Sequence, residues 1–137
     1  MSHSGYLTSI FNPKAHKKMV PKVIEKIKKL QRKIKFEAIA FSGFSGAGIV
    51  FPTFYETQIP IICVRKEKTM HGYTVEATKY PIKNYIIIDD FIRSGETIDR
   101  IINNLSSYDD FGKCKGILLY SSDRENPYNK IKVYTLD

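Results

Sequence analysis

Apolar residues are spaced in two different ways along this chain, and the spacing predicts an alternation of strands and helices. Phe36–Phe41 and Ile59–Val64 are short segments rich in β-branched and aromatic residues, which is typical of strands. Tyr85–Ile88 is an unbroken apolar run and predicts a strand that is buried on both faces. Two further strands are expected at Lys115–Tyr120 and Lys130–Leu136. Strands separated by helical segments are typical of an α/β domain.

Two helices are predicted from apolar positions that recur three or four residues apart. The first begins near Pro21, because proline is favoured in a first turn, and residues 1–13 before it form an irregular arm. The second begins near Thr97. Their apolar stripes are Val23, Ile27, Leu30 and Ile34 in the first helix, and Ile98, Ile101, Ile102 and Leu105 in the second.

The composition is that of one globular domain. With 137 residues, of which 42% are hydrophobic, the chain is long enough to bury a core. No apolar run approaches the roughly 20 residues that cross a membrane, and we expect no secretory signal in the polar N-terminus. Cys63 falls in a predicted strand and Cys114 at the edge of another, so we expect reduced thiols and a cytoplasmic protein. No Cys/His pair has the spacing of zinc ligands.

The positive charge is confined to one segment. Residues 14–35 hold ten Lys or Arg and a single acid, a local charge of +9, whereas the rest of the chain holds twelve Lys or Arg against thirteen acids, a charge of −1. Three interpretations stay open at this point: a solvated amphipathic helix packed on a sheet, a basic surface for nucleic acid, and a surface for an acidic partner protein.

The residues after the central apolar run indicate a phosphate site. Asp89 and Asp90 end the predicted strand, and Ser94-Gly95-Glu96-Thr97 leads into the second helix. A strand, a glycine-bearing turn and a helix N-terminus direct free N–H groups and the positive end of the helix dipole at one point. Two carboxylates beside such a cradle suit a sugar phosphate, whose hydroxyl groups need acceptors. The alternative is a buried strand followed by an Asp-rich turn and a capped helix.

A second glycine-rich segment, Ser42–Gly48, follows the first core strand and leads to a short helix or turn that ends near Tyr55. Its three glycines and two serines allow the backbone to approach an anion closely. The spacing Gly-x-x-Gly-x-Gly excludes a Rossmann fingerprint, and a Walker loop is excluded because no Gly-Lys-Ser/Thr follows.

The segment from Arg65 to Tyr80 is a long polar loop that carries the only central histidine, His71. Loops of this length in compact domains are either functional or disordered. A solvated, charged hairpin is the alternative without a function.

Together these segments resemble the type I phosphoribosyltransferases, which bind phosphoribosyl pyrophosphate (PRPP). The signature of that family is a hydrophobic strand, two acids, three variable residues and Thr/Ser-Gly-x-Thr, and it stands here as Ile86–Thr97. The segment at 42–48 occupies the place of the family's pyrophosphate loop, in the family's order. The long loop is similar to the Arg-Lys-x-x-Lys-x-His-Gly catalytic loop of orotate phosphoribosyltransferases. The matching positions are Arg65, Lys66, His71 and Gly72.

The resemblance covers about residues 36–120, and the chain departs from the orotate pattern at two places. Thr69 stands where the catalytic loop has its second lysine, with Lys68 one residue earlier, and Ala47 stands where orotate enzymes usually place a lysine. Arg93 stands where purine-salvage relatives carry an acid proposed as the base. Because arginine cannot accept a proton at neutral pH, this residue argues against the purine mechanism and suits an anionic base such as orotate.

The resemblance implies a type I phosphoribosyltransferase-like fold, in which a mainly parallel central sheet is flanked by helices. Residues 1–137 would form a single domain. Within it, residues 1–35 would be a basic arm and helix that serve as a minimal hood over the base, and residues 36–120 would be the PRPP-binding core.

The resemblance also implies roles for individual residues. The implied catalytic residues are Asp89, Asp90, Lys68 and His71. The implied ligands of the ribose phosphate of PRPP are Asp89, Asp90, Arg93, Ser94, Gly95, Glu96 and Thr97. The implied ligands of the pyrophosphate are Ser42, Gly43, Phe44, Ser45, Gly46, Arg65 and Lys66. The implied cofactor is Mg²⁺, held by Asp89 and Asp90 mostly through water.

The implied function is a Mg²⁺-dependent pentosyltransferase that moves the 5-phosphoribosyl group from PRPP to a nitrogenous base and releases pyrophosphate, with an orotate-like pyrimidine favoured. The implied partners are PRPP, a nucleobase and a second copy of the chain in a homodimer, and no membrane. The alternative is a non-catalytic sensor of PRPP or a nucleotide that binds RNA or DNA through the basic helix, because one fold supports several functions.

Overall fold

The central feature of the computed structural model, which describes residues 2–67, 73–78, 81–121 and 128–136, is a six-stranded sheet. The helices are α1 Thr8–Phe11, α2 Pro13–Lys33, α3 Gly43–Thr57 and α4 Glu96–Ser106, with a 3-10 turn at Asp109–Phe111. The strands are β1 Ala38–Phe41, β2 Ile61–Val64, β3 Val75–Glu76, β4 Asn84–Asp89, β5 Lys113–Leu119 and β6 Val133–Thr135.

The strands lie in the order β3-β2-β1-β4-β5-β6, and all neighbours pair in parallel except β2 and β3. Strand β1 is central: its Ile39 lies beside Ile61 of β2 and Ile86 of β4. The mainly parallel α/β sheet predicted from the sequence is therefore confirmed.

Two crossovers leave the centre of this sheet in opposite directions. Helix α3 connects β1 to β2, and α4 connects β4 to β5 on the other side. The two helices pack on opposite faces of the sheet, as expected when both crossovers have the same hand. The carboxyl ends of β1 and β4 thus form a topological switch point, where ligands bind in open α/β sheets.

The core has two layers because the central strands are apolar on both faces. On one face, Ile39 and Ile88 pack against Val23 of α2 and Ile49 of α3. On the other face, the strands pack against Ile98, Ile101 and Leu105 of α4. Because successive side chains of β4 point to opposite faces of the sheet, its unbroken apolar run contributes residues to both layers.

Helix α2 begins eight residues earlier than the Pro21 start expected from the sequence. The side chain of Asn12 accepts a hydrogen bond from Ala15 N at 3.1 Å, and Pro13 occupies the first turn. Pro21 lies inside the helix instead. The extra turns are held by α3, where His16 Nε2 lies 2.7 Å from Gly48 O.

The glycine-rich segment is also different from the loop that was expected. Ser42 is the N-cap residue of α3, and the residues from Gly43 onward are already helical. The arm at 1–13 contains a helical turn, Thr8–Phe11. Strand β3, which the sequence pattern did not reveal, pairs antiparallel with β2 through Val64 and Val75.

None of the helices in the described ranges is long and apolar enough to cross a membrane. Cys63 lies in β2 and Cys114 in β5, as expected, and both are free thiols.

Candidate active site

A cavity of about 700 Å³ opens at the switch point between β1 and β4. Its walls are the β1–α3 turn and the β4–α4 turn, which are far apart in the sequence. Most of the residues predicted to bind PRPP line it: Ser42, Gly43, Phe44, Ser45, Asp89, Asp90, Arg93, Ser94, Gly95, Glu96 and Thr97. The fold therefore brings the two predicted halves of the site to one place.

The two aspartates at the end of β4 are fixed by short hydrogen bonds. Oδ1 of Asp89 accepts from Asp90 N at 2.9 Å and from the Ser45 hydroxyl at 3.1 Å. Oδ1 of Asp90 accepts from Phe91 N at 2.8 Å. The Ser45 contact links the first turn of α3 to β4, so the carboxylate pair and the β1–α3 turn are held in one arrangement.

Burial, and to a smaller extent the neighbouring charge of Asp90, raise the pKa of the Asp89 carboxyl to about 7. The hydrogen bonds from the Asp90 amide and from Ser45 oppose this shift, since they stabilise the carboxylate. Asp89 is only 6% exposed. A buried acid with a shifted pKa in a cavity is a feature of functional sites.

Two helices begin at the cavity, and neither first turn is capped by the side chain of its N-cap residue. In α3 the N-cap Ser42 makes no such hydrogen bond, and in α4 the N-cap residue is Gly95. The positive ends of both helix dipoles therefore face the cavity, which favours an anion there. In the β4–α4 turn, Ser94 Oγ accepts from Glu96 N at 3.3 Å.

Two glycines of the site are required by the backbone. Gly95 has φ +84°, in the left-handed region that favours glycine. Gly46 sits where a Cβ atom would lie 2.8 Å from Phe41 Cβ, which is closer than any normal packing contact. The glycine at position 46 thus allows α3 to lie against the end of β1.

The fold of this chain is similar to that of several solved structures. The UMP synthase of Leishmania donovani is 21% identical, with a TM-score of 0.69, over 93% of this chain and 28% of the synthase. An orotate phosphoribosyltransferase from Francisella tularensis is 15% identical, with a TM-score of 0.67, over 92% of this chain and 61% of that enzyme. An adenine phosphoribosyltransferase from Thermoanaerobacter pseudethanolicus is 19% identical, with a TM-score of 0.63, over 94% of this chain and 84% of that enzyme.

The chain has the type I phosphoribosyltransferase fold. The chain spans only 28% and 61% of the length of the first two of these proteins. The shared fold therefore does not assign their activities to this chain. No protein-family model matches the sequence, and no curated protein matches it.

Some residues predicted for the phosphoribosyltransferase site lie elsewhere or outside the described residues. Arg65 does not line the 700 Å³ cavity; its guanidinium donates to Tyr73 O at 2.9 Å and to Glu76 Oε1 at 3.1 Å. Lys66 is exposed beside it. The predicted catalytic residues Lys68 and His71 fall in the range 68–72, outside the described residues.

Gly46 also does not line the cavity and acts on it only through packing. Arg65 instead lines a second cavity, of about 830 Å³, that shares Gly43 and Phe44 with the first. The remaining walls of this second cavity are mostly apolar and aromatic and include Phe51 and Phe54. The two cavities meet at the start of α3.

Three residues of the site were not found from the sequence. Tyr6, from the N-terminal arm, and Arg100, from the second turn of α4, both line the cavity. Tyr120, just past β5, donates from its hydroxyl to Ser45 O at 2.7 Å and so supports the start of α3. None of the three lies in a recognisable motif. Only the residue type of Arg100, a cation near a helix start, gave a signal that could have been noticed.

The donor set of the cavity fits a magnesium ion that keeps much of its water. Asp89 and Asp90 supply two adjacent carboxylates, and Mg²⁺ typically binds through one or two carboxylates together with substrate phosphates. No cluster of three or more His, Cys, Asp or Glu that could hold a metal occurs in the described part of the chain.

Proposed function

We propose that this chain is a phosphoribosyltransferase that transfers the 5-phosphoribosyl group of PRPP to a nitrogenous base and releases pyrophosphate. One observation carries the proposal. A hydrogen-bonded aspartate pair, of which Asp89 is buried, and two helix N-termini that lack a cap from their N-cap side chain face one cavity at the switch point of the sheet. The carboxylates suit the hydroxyls of a ribose, and the helix ends suit its phosphates.

The roles proposed for the described residues are those that the family resemblance implies, and their places in the cavity support them. Asp89 and Asp90 accept hydrogen bonds from the 2′- and 3′-hydroxyls of the ribose. The β4–α4 turn, with the backbone N–H groups of Arg93–Thr97, holds the 5′-phosphate, and the start of α3, from Ser42 to Ser45, holds the pyrophosphate. The 5′-phosphate and the pyrophosphate then lie on different walls of one cavity.

The reaction proposed is a substitution at C1 of the ribose. A nitrogen lone pair of the base forms the new bond to C1, while the bond from C1 to the pyrophosphate oxygen breaks and that oxygen keeps the electron pair. The transition state has oxocarbenium character, so the residues act by fixing the phosphates, neutralising charge on the leaving group and excluding water. Asp89 and Asp90 would hold a Mg²⁺ ion through water, and the ion would supply charge neutralisation at the pyrophosphate.

The loop at 65–72 is proposed as a lid over the pyrophosphate. Its described root, Arg65 and Lys66, lies at the end of β2, where Arg65 is paired with Glu76 of β3 at 3.1 Å. In the lid hypothesis, Lys68 and His71 contribute their charge and hydrogen bonds when the loop covers the substrate.

An anionic pyrimidine of the orotate type is the base that we favour. Arg93 lies on the exposed rim of the cavity, in contact with Phe91, whose ring centroid is 5.9 Å from the guanidinium carbon. An arginine cannot act as a general base, but it can pair with a carboxylate. The fold neighbours include orotate and adenine enzymes and so do not choose between these bases.

The experiment that tests this function measures pyrophosphate release from PRPP with Mg²⁺ and a panel of bases: orotate, uracil, adenine, hypoxanthine and guanine. We expect release with orotate to exceed release with any purine. If only purines give release, the proposed reaction class is supported, but the proposed preference for an orotate-like base is wrong. If no base gives release and PRPP does not bind, the proposed function is wrong.

The solved neighbours named above are enzymes, which favours catalysis over the alternative of a non-catalytic regulator. The homodimer implied by the resemblance remains a prediction. Helix α3 exposes Phe44, Phe51, Phe54 and Tyr55, and a second copy would gain the most apolar burial there. Sedimentation equilibrium of the wild type and of a Tyr55→Ser variant tests this prediction.

A further inference from the structure

The guanidinium of Arg100 lies at the inner wall of the cavity without an anionic partner in the described part of the chain. Arg100 belongs to the second turn of α4 and lines the cavity together with Ser42 and Asp89. The ion pairs of the described residues are Glu25–Lys29, Arg65–Glu76 and Asp99–Lys130, and none of them involves Arg100. Within the described ranges, this half-buried cation therefore forms no salt bridge.

Its hydrogen bonds are also incomplete. Nη2 donates to the Ser42 hydroxyl at 3.3 Å, a long contact to an uncharged acceptor. Nε is fully buried and finds no acceptor among the described residues. Buried polar groups in native proteins are almost always paired, and a buried donor that lacks a partner has a desolvation cost. Arg100 is the side chain of the described residues in which such an atom occurs.

The position of Arg100 is unfavourable for a cation in another respect. It lies near the N-terminus of α4, and its contact with Ser42 places it at the N-terminus of α3 as well. Both helix dipoles have their positive ends at this point, and they repel a positive side chain. An arginine at this position goes against the usual placement of cations on helices, and natural proteins show such exceptions at functional sites.

We propose that Arg100 binds the pyrophosphate group of PRPP. This inference rests on the proposed function. The guanidinium and the first-turn N–H groups of α3 converge on one side of the cavity, where Ser42 marks the start of the pyrophosphate wall. A pyrophosphate there satisfies the guanidinium with a charged acceptor and is attracted by the helix dipole. Arg100 is thus the cation that the cavity contributes from α4 to the leaving group.

The test compares binding of three ligands to the full chain by isothermal titration calorimetry at fixed ionic strength with magnesium chloride. The ligands are PRPP, inorganic pyrophosphate and ribose 5-phosphate. The variants are Arg100→Gln, which removes the charge, and Arg100→Lys, which keeps it without the fork of donors. Arg32→Gln is the matched control, because Arg32 is exposed on α2 and its loss changes the net charge equally.

We expect Arg100→Gln to weaken PRPP and pyrophosphate by about ten- to a hundred-fold. Ribose 5-phosphate, which has no pyrophosphate, should bind within about three-fold of the wild type, and Arg100→Lys should lie between the two. The control variant should bind all three ligands like the wild type.

Equal affinities in Arg100→Gln and the wild type, or an equal loss for all three ligands, would overturn the assignment of Arg100 while leaving the proposed function intact. If Arg100→Gln and Arg100→Lys both fail to fold, as judged by circular dichroism, Arg100 is a structural group and the assignment is also wrong. If the wild type binds neither PRPP nor pyrophosphate, the proposed function itself fails.

Discussion

Helix α2 and the switch-point cavity are two charged regions of this protein, and their charged groups lie in opposite surroundings. Residues 14–35 carry ten Lys or Arg and one acid, spread over an exposed helix face. The cavity is lined by only two aspartates, one glutamate and two arginines. In α2, Glu25 and Lys29 form an ion pair at 3.3 Å, and their side chains are 69% and 60% exposed.

The difference between the two regions shows that charged groups interact strongly only where they are partly buried and lie close together. Exposed charges are screened by water and salt, and an exposed helical ion pair contributes little to stability. In the cavity the same kinds of group are partly desolvated, so that burial raises the pKa of Asp89 to about 7. The charge counted along the sequence suggests α2 as a binding surface, whereas the structure indicates the cavity as the candidate site.

The largest effect is expected from the aspartate pair of the cavity. The double variant Asp89→Asn, Asp90→Asn should lower pyrophosphate release by more than about a thousand-fold, because it removes the two negative charges that are proposed to bind the ribose hydroxyls and magnesium. The matched control is Asp109→Asn, Asp110→Asn, a second adjacent pair that is exposed in the 3-10 turn. Near-normal turnover in the first variant, with the fold intact by circular dichroism, would contradict the proposed site.

Replacing a single lysine of the loop at 65–72 should lower turnover more than replacing a single lysine of α2. Lys68→Ala should lower turnover by about ten- to a hundred-fold, since it removes a charge proposed to neutralise the leaving group. Lys22→Ala, on the exposed face of α2, should stay within about two-fold of the wild type. Steady-state assays of both variants check this pair. A loss of no more than a few-fold in Lys68→Ala would mean that the loop is not a catalytic lid.

The pKa of Asp89 predicts a pH-dependent stability. The ordinary value of 3.8 is raised to about 7 in the folded protein. Between these two pH values the folded state keeps a proton that the unfolded state has released. The contribution of Asp89 to stability therefore falls as the pH rises from about 4 to about 7, and it is constant at higher pH. Asp89→Asn removes this slope, and the variant should gain stability relative to the wild type between about pH 4 and pH 8.

Urea unfolding of the wild type and of Asp89→Asn at several pH values measures that difference. Asp109→Asn serves as the comparison, because Asp109 is exposed. If the stability difference between Asp89→Asn and the wild type is the same at low and high pH, the carboxyl of Asp89 is not shifted in the folded state.

The smallest effect on turnover is expected from the basic face of α2. Lys14→Gln, Lys18→Gln and Lys22→Gln together should leave pyrophosphate release within about two-fold, because these exposed side chains do not line the cavity. The same variant should reduce weak, salt-sensitive retardation of RNA in gels, since each lysine lost removes a potential phosphate contact. A large fall in turnover would break the distinction between the two regions.

Much of the fold follows from the sequence pattern. The apolar run of β4, the stripe of Val23, Ile27 and Leu30 in α2, and the helix after Gly95 all occur as predicted. These elements are local, because periodicity and turn residues specify them within a dozen residues. The boundaries were less certain. Helix α2 starts at Pro13 because tertiary contacts to α3 stabilise turns that the apolar stripe alone did not reveal.

Strand β3 and the helical start of α3 were missed for a related reason. Val75–Glu76 is a strand only because β2 offers it an edge to pair with. The glycines of the segment at 42–48 suggested a loop, since glycine weakens a helix. Packing against Phe41 makes a glycine necessary at position 46 inside the helix instead.

By itself, the sequence determined that an aspartate pair ends a buried strand and is followed by a glycine turn and a helix, because these features are contiguous in the chain. It also determined that Arg93 cannot act as a general base. The tertiary structure decided which distant groups join that stretch. Arg100 donates to Ser42 across 58 positions, and Ser45 fixes Asp89 across 44. Only the crossovers to opposite faces of the sheet bring these groups to one cavity, so no local pattern could have predicted their contact.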